Sequence, residues 1–154
     1  MTQQAIARAA TAEDVAAIAV LLGASDLPTT DLAESRPELI VIEDGAAIVG
    51  AGGLQRYGEV ALLRSVVVTK ERQNGGLGST LLGELERHAI ARGVRELVLL
   101  TQTAERFFAR HGYARVERAT VPRPIQATSE FRSLCPASAI CMSKHLVRRG
   151  LTNE

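Results

Sequence analysis

The sequence predicts a mixed α/β domain, and three observations carry that prediction. Apolar runs of strand length, many of them β-branched, alternate along the chain with stripes of helical period. One of these runs, ending in Val66-Val67-Val68, passes through a Gly-rich turn straight into an amphipathic helix. The 154 residues are 46% hydrophobic, enough for one core, and hold no repeat, low-complexity stretch or linker. Residues 1–154 are therefore expected to form a single domain. With aromatics at 3% and no Trp, its core must be aliphatic.

Taken in order, Ala5 to Arg8 reads as a short first strand. Thr11 caps a helix, with Asp14 three residues later in a capping-box relation and Val15, Ile18 and Leu22 on one face. Because Val15 to Ala24 is apolar throughout, this helix is expected to be buried, with Gly23 as its stop. Thr30-Asp31-Leu32 starts a short second helix that breaks before Pro37. Leu39 to Glu43 and Ala46 to Gln55 are strands joined at Asp44-Gly45, a strong hairpin signal because Gly accepts positive φ. Arg56-Tyr57-Gly58 turns into a long strand, Glu59 to Val68.

The helix after the Gly-rich turn carries Leu77, Leu81, Leu82, Leu85 and Ala89 as its apolar stripe and stops at Gly93. Val94 to Leu100 is a buried strand, charged only at Arg95 and Glu96. Ala104 to Arg110 is a short helix ended by Gly112, and Ala114 to Glu117 is extended. A loop with one helical turn is expected between Pro122 and Pro136, and Ala139 to His145 is the last strand.

Composition excludes several classes of partner. A net charge of +1 gives no reason to expect nucleic acid or an anionic membrane. The apolar run at Val15 to Ala24 is too short to span a bilayer, and Glu13 and Asp14 precede it where a secretory signal would carry positive charge. A cytoplasmic protein is expected. The two cysteines, Cys135 and Cys141, fit a reducing compartment without implying a disulfide.

The Gly-rich turn narrows the ligand. A strand that opens through glycines into a helix aims backbone N–H groups and the positive end of the helix dipole at one point, which suits a phosphate or pyrophosphate. A nucleoside-triphosphate loop would place Lys before Ser or Thr, and Gly78-Ser79-Thr80 has none. A dinucleotide loop would need Gly-x-Gly-x-x-Gly, whereas Gly76-x-Gly78 is followed by its next glycine only at Gly83. The pattern that fits is Gln73-x-x-Gly76-x-Gly78. It resembles the pyrophosphate-arm motif of the GNAT superfamily of N-acetyltransferases, Gln/Arg-x-x-Gly-x-Gly/Ala.

The order of strands and helices is similar to that of the GNAT family over essentially the whole chain. A second motif agrees: Thr101-Gln102-Thr103-Ala104 through Phe107-Phe108 to Gly112-Tyr113 keeps the family frame, with Thr101 for the usual Asn and Phe108 for the usual Tyr. More narrowly, Arg56 to Ser65 and the tail from Thr128 to Met142 resemble the N-acetyltransferases associated with arsenic resistance. The resemblance implies a central mixed, mostly antiparallel sheet flanked by helices, with acetyl-CoA as cosubstrate and no metal. It implies an enzyme that acetylates the amine of a small molecule, with a homodimer formed through the terminal strand. Acetylation of protein N-termini or lysines is a second implied activity. A third reading, from a different class, is a CoA-binding regulatory module without chemistry.

Residue by residue, the resemblance assigns the pyrophosphate to backbone amides of Asn74, Gly75, Gly76, Leu77, Gly78 and Ser79 beside Gln73. It assigns pantetheine and the acetyl oxygen to main-chain groups of Val66 and Val68. The strand position where relatives often carry a Glu base is Leu62, so Glu59, acting through water, is the candidate base; the alternative is a solvated turn residue. Phe108 has no hydroxyl to protonate the departing sulfur, and Tyr113 is expected in the core, which leaves water for proton transfer. Strand alternation places Leu62, Arg64 and Val66 on one face, where Arg64 would meet a carboxylate or oxyanion of the acceptor or else an internal carboxylate, Glu59 or Glu130. Arg56, Tyr57, Arg132 and Cys135 complete the candidate acceptor site. Cys141 and the three histidines, His88, His111 and His145, are read as structural or solvated.

Overall fold

Turn residues and apolar runs set most element boundaries in the computed structural model, which describes residues 5–24, 37–45, 47–73, 75–128, 131–132 and 138–146. In chain order these form β1 (Ile6–Ala9), a 3-10 turn (Ala12–Asp14), α1 (Val15–Ala24), β2 (Glu38–Asp44), β3 (Ala47–Tyr57) and β4 (Val60–Val68). A 3-10 turn (Lys70–Arg72), α2 (Leu77–Ala91), β5 (Glu96–Thr101), α3 (Glu105–Arg110) and β6 (Ala114–Arg115) follow. Last come a 3-10 turn (Arg118–Thr120), α4 (Arg123–Gln126) and β7 (Ile140–His145). The strands form one seven-stranded sheet in the order β1-β2-β3-β4-β5-β7-β6. Its β4–β5 ladder is parallel, whereas β1–β2, β2–β3, β5–β7 and β6–β7 are antiparallel. This is the mixed, mostly antiparallel sheet with flanking helices that the resemblance implies. The short helix expected from Thr30 lies outside the described residues.

The fold divides into two units, Met1–Gln55 with Arg64–Arg87, and Arg56–Leu63 with His88–Glu154. In the first unit the hairpin closes at Asp44 opposite Ala47, and Gly45 takes φ 65. One helix packs on each face of its strands. Ile18 and Leu22 of α1 are fully buried against Val41, Ala51 and Val67. Gly52, the next residue of β3 and so on the opposite face, leaves room for Leu85 of α2: a Cβ there would lie 2.5 Å from the Leu85 methyl. Arg8 clasps this unit, donating to Glu43 at 2.9 Å and to both oxygens of Asp14 at 2.8 and 3.1 Å. Asp14 also accepts from the Thr11 N–H at 2.7 Å, the carboxylate half of a capping box, and from the Thr11 hydroxyl at 3.1 Å.

Two expectations change here. The helix at Val15–Ala24 is not buried all round: Val20 is 71% and Val15 44% exposed, so only its Ile18–Leu22 side faces the core. Arg56 and Tyr57 belong to the end of β3, and the turn falls at Gly58 and Glu59, with Gly58 at φ 69.

In the second unit, β5 pairs with β7 from Glu96–His145 to Thr101–Ile140 and with β4 at Val60–Leu62. Leu62, Val98, Val121, Ile125, Phe131 and Cys141 form its core, with Tyr57, Val60, Leu100 and Val116 packed at the margin. The helical turn expected after Pro122 is α4. Gln126 pins it by donating to the Val121 carbonyl at 2.7 Å, and the Thr128 hydroxyl donates to Ile125 at 2.7 Å.

Candidate functional site

The strand-loop-helix segment lies within the first unit and is organised by its own backbone. β4 leaves the sheet at Thr69, whose N–H donates to the Val49 carbonyl at 2.9 Å. The following 3-10 turn is closed by Arg72 N–H to Thr69 carbonyl at 3.0 Å, and the Arg72 side chain reaches Asp44 of the hairpin at 2.5 Å. Gln73 then folds back, its side-chain amide donating to the Val68 carbonyl at 2.9 Å. Gln73 thus braces the loop from within. Asn74 lies outside the described residues.

At Gly76 the backbone takes φ 87, a region an L side chain enters only with strain. This reversal starts α2. The first helical bond is from Thr80 N–H to the Gly76 carbonyl at 3.1 Å, and the Thr80 hydroxyl adds a second at 3.2 Å. The amides of Gly76, Leu77 and Gly78 therefore precede the first residue whose N–H an intrahelical carbonyl can satisfy. The first turn of α2 carries no acidic side chain, so the field there is that of the helix dipole. Gly75, Gly76 and Ser79 are exposed, and Leu77 and Gly78 half-buried. No Cβ placed on Gly76 would meet an atom within 4 Å, so its glycine is required by φ, with open space in front. Main-chain donors, positive dipole and open approach fit a diphosphate.

Upstream, Val66 and Val68 are half-buried, and their methyls pack over Gly52 and Gly50 at 3.5 and 3.7 Å from where a Cβ would stand. Between them and Leu62 the strand is irregular. Ser65 has φ 61, a left-handed conformation costing about 1–3 kcal/mol in a non-glycine residue. The alternation that would put Leu62, Arg64 and Val66 on one face does not run through it, and Ala61 to Ser65 are all buried. Arg64 is 3% exposed. Its Nη1 donates to the Gln55 side-chain oxygen at 3.0 Å and its Nε to the Ser65 hydroxyl at 3.3 Å. Neither Gln55 nor Ser65 is signalled by the sequence, since a strand serine does not announce left-handed backbone.

The other candidate acceptor residues belong to the second unit. Arg56 and Arg132 are exposed, and Tyr57 is half-buried against the core around Phe131. Glu59 is exposed in its turn, where its carbonyl receives the N–H groups of Arg95 at 2.6 Å and Glu96 at 3.1 Å. Cys135 and Glu130 lie outside the described residues. Leu62 is fully buried, and Phe108, 6% exposed, stacks edge-on against Phe107 and Tyr113 with ring centres 5.1 and 5.5 Å away. Tyr113 is itself core, as expected. Thr101, standing for the usual Asn, accepts the Ala104 N–H at 3.0 Å and shapes the entry to α3. Cys141 is buried, and burial pushes its thiol up to about 11 despite the opposing charge of Arg118. Among the described residues no three His, Cys, Asp or Glu side chains cluster as metal ligands, and no helix is long and apolar enough to cross a membrane.

Comparison with known proteins identifies the family and the fold. Residues 35–115 match the family model described as an acetyltransferase (GNAT) domain. An uncharacterized N-acetyltransferase of Bacillus subtilis strain 168, YjcF, is 33% identical over 84 residues, which cover 54% of this chain. The match spans 60% of that relative's own length. Two solved structures share the fold. N-acetylglutamate synthase from Neisseria gonorrhoeae, complexed with coenzyme A and N-acetyl-glutamate, superposes with TM-score 0.81 at 18% identity over 96% of this chain and 36% of that one. Rv2747 from Mycobacterium tuberculosis, in complex with CoA and NLQ, gives TM-score 0.77 at 23% identity over 92% and 99% of the two chains.

Proposed function

Because the chain belongs to the GNAT acetyltransferase family, we propose that it transfers the acetyl group of acetyl-CoA to the amine of a small acidic molecule. An acidic amino acid, or an arsenic- or phosphorus-bearing analogue of one, is the acceptor. The observation that carries the reading is the Gly76 reversal, which starts α2 at exposed residues with no acidic side chain in its first turn. In the reaction the acceptor's neutral amine attacks the thioester carbonyl carbon, the carbon–sulfur bond breaks, and the thiolate takes up a proton. Backbone amides from Gly75 to Ser79 hold the diphosphate, and main-chain groups of Val66 and Val68 orient the thioester arm. Leu62 and Phe108 offer no acid or base, so water carries both protons, with Glu59 the carboxylate that would receive one through it.

Two observations support an acidic acceptor: the recessed Arg64, and the presence of N-acetyl-glutamate in a protein of the same fold. Acetylation neutralises an amine, so an analogue that depends on its ammonium to mimic glutamate would be disarmed. That is the detoxification role this reading gives the chain, in keeping with its resemblance to the arsenic-resistance-associated branch. The test is calorimetry with CoA, followed by thiol release with glutamate, phosphorus- and arsenic-bearing glutamate analogues, neutral amines and a peptide panel. Tight CoA binding with turnover of the acidic amines is the expected result. CoA binding without thiol release on any amine would favour a non-catalytic CoA-binding module, the reading to which the buried Leu62 and Phe108 point.

A further inference from the structure

We infer that Asp44 and Arg72 are positioning residues for the cosubstrate, an inference that rests on the acyl-transfer reading above. Their ion pair anchors the Gly-rich loop to the β2–β3 hairpin, and so sets the amides of Gly75 to Ser79 before the diphosphate arrives. Those amides need an anchor. The first bond into α2 runs from the Thr80 N–H to the Gly76 carbonyl, so helix geometry fixes them from one side only. On the other side stand Gly75 and Gly76, and a glycine backbone turns too freely to transmit an orientation. Position therefore has to be supplied just before them, between Thr69 and Gln73.

Three contacts supply it. The Thr69 N–H donates to the Val49 carbonyl of β3 at 2.9 Å, and the Gln73 side-chain amide to the Val68 carbonyl of β4 at 2.9 Å. The third has the longest reach: Arg72 Nη1 donates to Asp44 Oδ2 at 2.5 Å, across 28 positions of sequence. Both ends of this pair stand on closed backbone. Asp44 lies where the hairpin closes, opposite Ala47 and followed by Gly45 at φ 65, and its short side chain goes where the turn sends it. Arg72 leaves a 3-10 turn closed by its own N–H on the Thr69 carbonyl at 3.0 Å. The two side chains are 17% and 37% exposed. A pair this open to water adds little to global stability, but it can fix a segment that the core does not hold. Ordering a loop on binding weakens affinity, and a loop ordered in advance avoids that loss.

A double-substitution cycle tests this, with CoA affinity read by calorimetry and stability by thermal melting. Asp44→Asn and Arg72→Gln are each expected to weaken CoA binding about fivefold. The double variant should also lose about fivefold, because the second change has no contact left to break. Melting temperatures should stay within about 3 °C of wild type. Asp44→Glu keeps the carboxylate and should recover most of the affinity. Unchanged CoA affinity in both single variants would overturn the positioning role and leave the diphosphate site standing. A multiplied loss in the double variant, about 25-fold, would overturn it too, since the two residues would then act on the ligand separately. So would affinity that falls only in step with a large drop in melting temperature, the signature of a general defect. A wild type with no affinity for CoA would bring down the site itself, and this inference with it.

Discussion

The two units of the fold differ in what they do with polarity. The first gathers it at one strand and the loop beyond: the Gln55–Arg64–Ser65 cluster, the Gln73 brace and the helix entry at Gly76. In the second, the positions that might have carried chemistry are packed with apolar groups. Leu62 is core, Phe108 is wedged between two aromatic rings, and the Cys141 thiol is driven away from ionisation by burial. On the proposed reading, the contrast would make this a protein that holds and aligns its reactants, with few groups to exchange protons with them. Acceleration by alignment and fixed dipoles needs no titratable side chain when the nucleophile is itself an amine. Substitutions at the Gly76 loop of the first unit should therefore change ligand affinity, and substitutions at the packed positions of the second should change stability alone.

The largest effect should come from Gly76→Val. A β-branched residue at φ 87 is strained by roughly 1–2 kcal/mol or more, and an exposed loop relaxes to relieve it. Relaxation turns the first amides of α2 away from the diphosphate. CoA affinity measured by calorimetry should drop at least about tenfold. The melting temperature should change little, because no atom lies within 4 Å of the new Cβ. Unchanged CoA affinity in this variant would remove the loop from the site.

Next in size is Gly52→Ala, which tests whether the packing of α2 on β3 sets the loop. The added Cβ would stand 2.5 Å from the Leu85 methyl, and Leu85 is fully buried, so it cannot swing into solvent. Overpacking of this kind costs about 1–3 kcal/mol, or several degrees of melting temperature. The companion change Leu85→Val makes room, so the double variant should regain stability lost by the single one. Additive losses in the cycle would mean that the two residues do not oppose each other.

The Arg8–Asp14 clasp gives a smaller, pH-dependent effect in the same unit. Hydrogen bonds from Arg8 first, then from the Thr11 backbone, hold the Asp14 carboxyl well below the usual carboxylate range. A depressed folded-state value means the stabilisation is fully present above the ordinary carboxylate pKa, about 4, and is lost as pH falls below it. Melting temperature in the wild type should therefore fall more steeply between about pH 5 and pH 3 than in Asp14→Asn. Parallel pH profiles for the two proteins would show that the clasp contributes nothing to stability.

How much of this was legible follows from what each feature needs. Gly45, Gly58, Gly76, Gly93 and Gly112 all take positive φ, and each marks a turn the sequence announces because no other residue suits that backbone as well. The departures at Leu62 and Phe108 were legible too, since a missing carboxylate or hydroxyl is visible in the letters alone. α1 was misread because a wholly apolar run erases the polar face that reveals periodicity, and burial could not be assigned to the Ile18–Leu22 side alone. The left-handed backbone at Ser65 had no sign at all. Serine is an ordinary strand residue, and its left-handed φ is imposed by tertiary structure, so the Gln55–Arg64–Ser65 cluster could emerge only with the coordinates.

The smallest expected effect bears most directly on the second unit. Cys141 lies in the core with Leu62, Val98 and Ile125, and its thiol is pushed up to about 11. At neutral pH it is protonated, and a thiol in that state is a poor nucleophile and a poor ligand for soft metalloids. In a Cys135→Ser background, a thiol-specific reagent at pH 7.5 should leave the folded protein unmodified until denaturant exposes position 141. Cys141→Ala should cost only about 1 kcal/mol, the loss of one small buried group, and leave CoA affinity and turnover within twofold of wild type. Rapid labelling of the native protein, or activity lost with the sulfur, would mean that the second unit carries chemistry after all, and the division of labour between the two would have to be redrawn.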